Sequence, residues 1–188
     1  MLSPSDLGGA KALPGEVETE IDLRARGTAL HLLLERLPEV AQQDWVALAS
    51  ALIPDQALAA TLLAEARAVL SAPELAPLFA EGLAEVAVTA PWGDAVLAGT
   101  VDRLVLSPDR VLIVDFKSNT VVPNGPSEVP EGIQRQLGAY AHMLQAIYPD
   151  RQIEAAVLWT RVARLMPLDP EMVRQAFLRT TIPWGAGP

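Results

Sequence analysis

The stretch Val111–Asn119, VLIVDFKSN, decides the predicted fold because an apolar run leads directly into two charged residues. Four aliphatic residues in a row are typical of a strand that is buried on both faces of a sheet. Asp115 and Lys117 follow that run, and burying either charge without a partner is costly. Side chains alternate along a strand, so we expect Asp115 and Lys117 to share one face. The stretch therefore predicts a buried strand that ends in a polar site.

The segment before this strand supplies a second carboxylate. Residues 95–106 predict another strand, joined to the first through Ser107–Arg110. If Pro108 and Asp109 form the loop of a hairpin, Asp102 lies directly opposite Asp115, with Cβ atoms roughly 4.5–5.5 Å apart. Two carboxylates at that distance repel each other, and a divalent cation such as Mg²⁺ or Mn²⁺ between them removes the penalty. The alternative is an exposed hairpin with a surface Asp–Lys pair.

Two carboxylates and an ammonium group at one site are the parts that metal-dependent phosphodiester hydrolysis requires. The carboxylates hold the metal, which polarises a phosphoryl oxygen and lowers the pKa of bound water. Lys117 can orient that water or stabilise the developing charge. The sequence thus points to a hydrolase that acts on phosphodiesters.

The periodicity of apolar residues predicts a helical first third followed by a region with five strands. The predicted helices cover 24–37, 43–53, 55–71, 73–79, 131–148 and 170–178, and the predicted strands cover 84–90, 95–106, 110–116, 153–159 and 164–168. Residues 1–22 lack a sustained period and are interpreted as an N-terminal arm or linker. Residues 23–188 are interpreted as one domain with a helical part, 23–80, and a sheet core with helices, 81–188.

Two further segments hold candidate site residues. Gln136 and Tyr140 are four residues apart and therefore share one face of the helix after the hairpin. They could hold a ligand beside the metal, or they could be a solvated flank and a core aromatic residue. His31 lies among leucines, where it is either a hydrogen-bonded core residue or a neutral imidazole that reaches a metal.

Composition limits the class of protein. The chain has 188 residues, is 51% hydrophobic and carries a net charge of −9, so it can bury a core but is too acidic for broad electrostatic capture of DNA. It has no cysteine, which excludes disulfides and iron–sulfur clusters within the chain and suits a cytoplasmic location. No apolar run is long enough to predict a membrane span, and no signal peptide is apparent.

Taken together, five segments resemble the nuclease domain of the RecB/AddA-type helicase–nucleases, within the PD-(D/E)XK superfamily, and most of all the C-terminal domain of the AddA type. They are RGTALH (26–31), GTVDRL (99–104), VLIVDFKSN (111–119), QLGAY (136–140) and AAVLWT (155–160). The resemblance implies an α/β, restriction-endonuclease-like core with a mixed central sheet flanked by helices and an N-terminal helical block.

The same resemblance implies site residues, cofactor and partners. Metal ligation falls on His31, Asp102 and Asp115, with Mg²⁺ as the ion and Mn²⁺ as a possible substitute. Lys117 becomes the catalytic lysine, and Gln136 and Tyr140 support the site.

Glu85, on the strand before that of Asp102, is a weaker candidate, since it could equally be an exposed strand residue. Arg103, Arg135 and Arg161 are candidates for local phosphate contacts, although each could be an ordinary solvated charge.

The implied activity is hydrolysis of single DNA strands from an unwound duplex during double-strand-break repair and recombination in the bacterial cytoplasm. The implied partners are the helicase part of the same polypeptide and an AddB-type subunit. One alternative is a catalytically inactive nuclease-fold module that binds subunits or DNA ends. A small-molecule α/β enzyme is disfavoured because the sequence lacks the GxSxG, GxGxxG and GxxxxGK[ST] motifs.

Overall fold

The computed structural model describes residues 1–16 and 20–180, with the side chains of the first helix from residue 24 onward. The elements in chain order are α1 (Glu20–Arg36), α2 (Trp45–Leu52), α3 (Gln56–Ser71), α4 (Ala76–Glu81), β1 (Leu83–Trp92), β2 (Ala95–Leu106), β3 (Arg110–Lys117), α5 (Glu131–Ile147), β4 (Gln152–Trp159), β5 (Arg164–Leu168) and α6 (Pro170–Leu178). No helix among these residues is long and apolar enough to cross a membrane.

The five strands form one mixed sheet in the order β1-β2-β3-β4-β5. Neighbouring strands are antiparallel except for β3 and β4, which are parallel and are connected through α5. A parallel pair needs such a crossover, because a short hairpin can join only antiparallel strands. The predicted mixed sheet flanked by helices, preceded in the sequence by an N-terminal helical block, is confirmed.

The hairpin of β2 and β3 has the predicted register. Arg103 pairs with Val114, and Leu106 pairs with Val111. The amide of Ser107 donates to the carbonyl of Arg110 at 2.8 Å, so Pro108 and Asp109 form the loop. This register brings the carboxyl end of β3 next to the middle of β2.

Each face of the sheet covers its own apolar core. One core lies beneath α5 and α6 and includes Ile113, Leu137 and Val157. The other lies beneath α1 to α4 and includes Leu34 and Phe116. The central strands are therefore buried on both sides, which explains why VLIV is continuously apolar rather than alternating.

Several predicted boundaries were displaced by two residues or more: α4 spans Ala76–Glu81 rather than 73–79, and α2 begins at Trp45 rather than at residue 43. Helix α1 begins at Glu20, four residues before the predicted start. The prediction missed these residues because they include charged side chains and show no clear apolar period. Strand β1 extends to Trp92, since the turn that was predicted to begin at Pro91 needs only Gly93 and Asp94, and Gly93 has a φ of +56° that glycine adopts readily.

The N-terminal segment packs on the sheet. The amide of Leu2 donates to the carbonyl of Val96 at 2.8 Å, and the amide of Ala98 donates back to Leu2 at 3.0 Å. Residues 17–19 and 181–188, which belong to the predicted arm and to the end of the predicted domain, lie outside the described residues. The division at residue 22 stays a prediction.

Candidate metal and catalytic site

Asp115 and Lys117 lie at the carboxyl end of β3 and share a face, as the alternation predicted. Asp115 is only 3% exposed. Its Oδ1 accepts a hydrogen bond from Nε2 of Gln136 at 2.8 Å. The ammonium of Lys117 lies 2.5 Å from Oδ2, but Oδ2 accepts no well-aligned hydrogen bond. Burial raises the pKa of Asp115, and the Lys117 charge only partly opposes that effect.

Asp102 sits where the β1–β2 ladder is interrupted. Ala84 pairs with Arg103 and Val86 pairs with Val101, but no backbone pair joins Glu85 and Asp102 between them. Oδ2 of Asp102 instead accepts a hydrogen bond from the amide of Phe116 at 2.6 Å, which ties it to β3. The interruption lets the Asp102 carboxylate leave the regular pattern and meet α1.

His31 is the α1 residue that meets it. Nδ1 of His31 lies 3.3 Å from Oδ1 of Asp102, and Nε2 lies 3.2 Å from the carbonyl oxygen of Phe116. A carbonyl can only accept, so Nε2 carries a hydrogen and Nδ1 faces the carboxylate. Such a second contact fixes the ring orientation of a metal-binding histidine. His31 is thus hydrogen-bonded, as a core histidine would be, and its Nδ1 faces the Asp102 carboxylate.

The electrostatics of Asp102 and His31 are linked. Burial alone would raise the pKa of Asp102, but the charges of His31 and Lys117 and the Phe116 amide hold it below its usual value. Burial alone would lower the pKa of His31, and the Asp102 carboxylate outweighs that effect, so the pKa of His31 is raised. A proton on His31 and the negative charge of Asp102 therefore stabilise each other.

Glu85 completes a set of three possible ligands with His31 and Asp102. One ligand atom from each of these residues lies within 4.8 Å of the others. Glu85 has a φ of +49°, a left-handed conformation that L residues other than Asn and Asp rarely adopt. Burial and the nearby Asp102 carboxylate raise the pKa of Glu85. Two converging carboxylates and an imidazole nitrogen fit Mn²⁺ or Mg²⁺.

Glu85 is an exposed strand residue, as one interpretation of the sequence expected, but its position beside His31 and Asp102 gives it more weight than the sequence did. The sequence did contain a signal for this position. If Gly93 and Asp94 form a two-residue hairpin loop, counting residues outward from that loop places Glu85 opposite Asp102, just as counting from the Pro108–Asp109 loop places Asp102 opposite Asp115. Asp115 is not part of the three-residue set, and its role as a metal ligand stays a prediction.

Gln136 and Tyr140 both point from α5 toward β2 and β3. Gln136 is 8% exposed and holds Asp115, as described. The hydroxyl of Tyr140 donates to the carbonyl of Thr100 at 2.6 Å and also interacts with Gln136. Burial, and then the charges of Asp115 and Asp102, raise the pKa of Tyr140 strongly, so its hydroxyl stays protonated. Tyr140 therefore braces β2 behind the carboxylates.

The three arginine candidates are all engaged within the protein. Arg103 was a wrong candidate for a phosphate contact, because it is 4% exposed and donates to the carbonyls of Gly82 and Leu34. Arg135 forms an ion pair with Glu131, and Arg161 donates to the carbonyl of Ser118 at 2.7 Å. These two partly exposed arginines keep their place as candidates.

A cleft of about 960 Å³ opens above these groups. Its lining includes His31 and Gly27 from α1, Lys117 from β3 and Gln136 from α5, and the opposite wall is formed by residues 5–16. The carboxylates of Asp102 and Asp115 are not part of this lining, but both interact with Lys117 and His31, which are. The cleft is thus adjacent to the acidic cluster through these two side chains.

Comparison with known proteins places the chain in a family. The sequence model of the PD-(D/E)XK nuclease superfamily matches residues 6–181 of this chain. No curated protein is significantly similar in sequence. The solved structure of a "Putative exonuclease" from Eubacterium rectale superposes with a TM-score of 0.56 at 13% identity, over 86% of this chain and 64% of that chain. This chain therefore spans less than two thirds of the length of that protein.

A second solved structure, SSO0001, has a TM-score of 0.34 at 13% identity, over 80% of this chain and 81% of its own, which is too low to support an argument. At such identities the first likeness concerns the fold alone. The superfamily match, in contrast, spans almost the whole chain and includes the strands that carry Asp102, Asp115 and Lys117. The chain belongs to the PD-(D/E)XK nuclease superfamily.

Proposed function

We propose that this chain is a divalent-metal-dependent deoxyribonuclease domain that hydrolyses phosphodiester bonds. One observation carries the proposal: a lysine and a buried aspartate share the end of β3, next to the set formed by His31, Glu85 and Asp102. A structural ion pair would not need two further carboxylates and an imidazole beside it. The superfamily membership implies DNA as the substrate.

In this proposal each residue has a defined task. His31, Asp102 and Asp115 hold the metal, with Glu85 as a further ligand, and Mg²⁺ or Mn²⁺ would supply charge neutralisation at the scissile phosphate and a more acidic water. The Lys117 ammonium stabilises negative charge that develops on the phosphoryl group. Gln136 keeps Asp115 oriented, and Tyr140 braces the strand of Asp102.

We further propose that the domain acts within an AddAB-type helicase–nuclease during double-strand-break repair and recombination in the bacterial cytoplasm. Support comes from the sequence resemblance of RGTALH, GTVDRL and QLGAY to that group. The net charge of −9 supports it as well, because another part of such an assembly would have to supply most of the affinity for DNA. The helicase part of the same polypeptide and an AddB-type subunit are the proposed partners, and residues 23–188 form the proposed nuclease domain.

The test uses an end-labelled single-stranded oligonucleotide, with the chain alone and within the helicase complex in which we place it. We expect cutting with Mg²⁺ or Mn²⁺ and none with EDTA. Asp115→Asn and Lys117→Met should abolish cutting, while Arg174→Met, at an exposed ion pair with Glu171 on α6, should not. Cutting that survives EDTA, or equal cutting by Asp115→Asn, would contradict the proposal.

Calorimetry separates an active nuclease from an inactive module of the same fold. We expect a Mn²⁺ isotherm for the unaltered chain and its loss in Asp102→Asn. If the unaltered chain shows no isotherm and Lys117→Met leaves the activity of the complex intact, the domain is a binding module rather than a nuclease.

A further inference from the structure

Residues 8–16, here called the strap, contribute to the lining of the cleft and are attached at both ends. The carbonyl of Ala10 accepts a hydrogen bond from the amide of Gly132 at 2.8 Å, at the start of α5. The carboxylate of Glu16 accepts from the amide of Thr120 at 2.9 Å, in the loop after β3. Between these points, Asn119 donates to the carbonyl of Lys11 at 3.3 Å. The strap is therefore a fixed wall of the cleft.

Glycines make this attachment close. A Cβ atom on Gly9 would lie 2.8 Å from the amide nitrogen of Gly132, and one on Gly132 would lie 2.6 Å from the carbonyl oxygen of Gly9. Gly8 and Gly9 also have φ values of +77° and +88°, which are strained for other residues. The sequence thus permits the strap to press directly against α5, which carries Gln136.

The strap brings Lys11 into the cleft. Lys11 and Lys117 are the two lysines of the sequence, whose other cationic residues are arginines, and both line this cleft. Lys11 is half-buried and donates to the carbonyl of Ser5. Burial, and then the charge of Lys117, lower the pKa of Lys11. The carboxylates of Asp6 and Asp115 oppose this lowering only in part, so a further anion between the two ammonium groups would be favourable.

The chemistry of that anion follows from the site. The cleft is large enough for more than one phosphate of a strand, and Lys117 already serves the phosphate that is cut. A lysine binds phosphate as a point charge with three donors, without the planar geometry that an arginine imposes. We propose that Lys11 binds a phosphate that flanks the scissile one, so that the strap is part of the DNA-binding surface. This inference rests on the proposed nuclease function.

The experiment measures DNA binding separately from cutting. Fluorescence anisotropy with a labelled single-stranded oligonucleotide in EDTA compares the unaltered chain with Lys11→Met, which keeps most of the aliphatic stem, and with Lys11→Arg, which keeps the charge. Arg174→Met removes a cation elsewhere as the matched control. We expect Lys11→Met to weaken binding about tenfold, as for loss of one charge-assisted contact. The slope of log Kd against log salt should decrease by about 0.7, the value for one phosphate contact on a single strand.

Steady-state cutting with Mg²⁺ gives the second readout. Because Lys11 does not hold the reacting phosphate, Lys11→Met should raise KM and leave kcat within about twofold, and Lys11→Arg should restore KM. If Lys11→Met lowers the melting temperature but leaves Kd and its salt slope unchanged, Lys11 only anchors the strap to Ser5 and the inference is wrong. Equal KM values for Lys11→Met and the unaltered protein within the helicase complex would also overturn it.

The two proposals fail in different ways. If the unaltered chain binds DNA through Lys11 but does not cut with any metal, the nuclease function fails and the strap contact stands as a DNA-binding feature. If the unaltered chain cuts the oligonucleotide, and Lys11→Met has the same Kd and KM at every salt concentration, the nuclease function stands and the strap contact fails.

Discussion

Replacing Glu85 should separate the stability of the fold from the affinity of the site for metal. Glu85 combines a left-handed backbone with a carboxylate near Asp102 and His31. A non-glycine residue in that conformation costs roughly 1–2 kcal/mol. Glycine removes the strain but loses roughly 0.5–1 kcal/mol through its greater freedom in the unfolded chain. Glu85→Gly should therefore be more stable than Glu85→Ala by about 0.5–1 kcal/mol.

The assay is thermal unfolding of both variants in EDTA, followed by calorimetric titration with Mn²⁺. For a chain of this size, that difference in stability corresponds to a melting temperature about 1–4 °C higher for Glu85→Gly than for Glu85→Ala. Both variants should bind Mn²⁺ at least about tenfold more weakly than the unaltered chain, since each lacks the same carboxylate. Glu85→Gln, which keeps the backbone strain and the side-chain size, should share the loss of metal affinity.

Two results would refute this reasoning. If Glu85→Gly unfolds at a lower temperature than Glu85→Ala, the positive φ is not a source of strain and the ladder interruption has another cause. If all three variants bind Mn²⁺ as the unaltered chain does, Glu85 is not a ligand, and the site reduces to the sequence-predicted residues.

Three further substitutions test the surroundings of the site. Gly27→Ala should stabilise α1 by about 1 kcal/mol in denaturant unfolding, because among the described residues the new Cβ would meet only Ser118 Oγ, at 3.9 Å. It should nevertheless lower kcat/KM, because the Cβ would project into the cleft. An unchanged kcat/KM would show that the substrate does not approach Gly27. Gly132→Ala should cost about 1–3 kcal/mol of stability through overpacking against the strap and weaken oligonucleotide binding measured by anisotropy, and an undisturbed Kd would argue against the strap as part of the DNA-binding surface. Glu65→Gln should cost roughly 3 kcal/mol in denaturant unfolding, because it leaves the largely buried side chain of Arg26 without its ion-pair partner. A cost below about 1 kcal/mol would show that this pair is not important for the fold.

The order of elements was predictable because local patterns dictate it. The run before Asp115 indicated a strand buried on both faces, and the two cores on either side of the sheet bear that out. Turn residues identified the hairpin loop at Pro108, and its two-residue length then dictated the register. Such signals depend only on neighbours in the sequence or across one hairpin.

The geometry around Asp102 was not predictable in the same way. Regular alternation predicts that Asp102 and Asp115 share a face, but the ladder breaks at Glu85 and Asp102, and the Asp102 carboxylate turns to the Phe116 amide and to His31. Sequence spacing carries no information on such a break, because it arises from a compromise between strand pairing and the packing of α1. Likewise, nothing in the sequence showed that Arg103 would be buried against Phe79 and two carbonyls.

The charges that meet at the cleft provide an argument for the valence of its ligand. Glu85, Asp102 and Asp115 bring three negative charges when ionised, and Lys117 offsets one of them. A histidine must be neutral to bind a metal, so His31 contributes no charge in that state. The remainder is two negative charges, which a single divalent cation neutralises. Lys11 lines the same cleft, where it donates to the carbonyl of Ser5 and lies within electrostatic range of Asp6, and a phosphodiester would bring one further negative charge to it. The acidic cluster and the strap lysine are thus accounted for together by a divalent metal and a nucleic acid strand, whereas an ordinary surface ion pair explains neither.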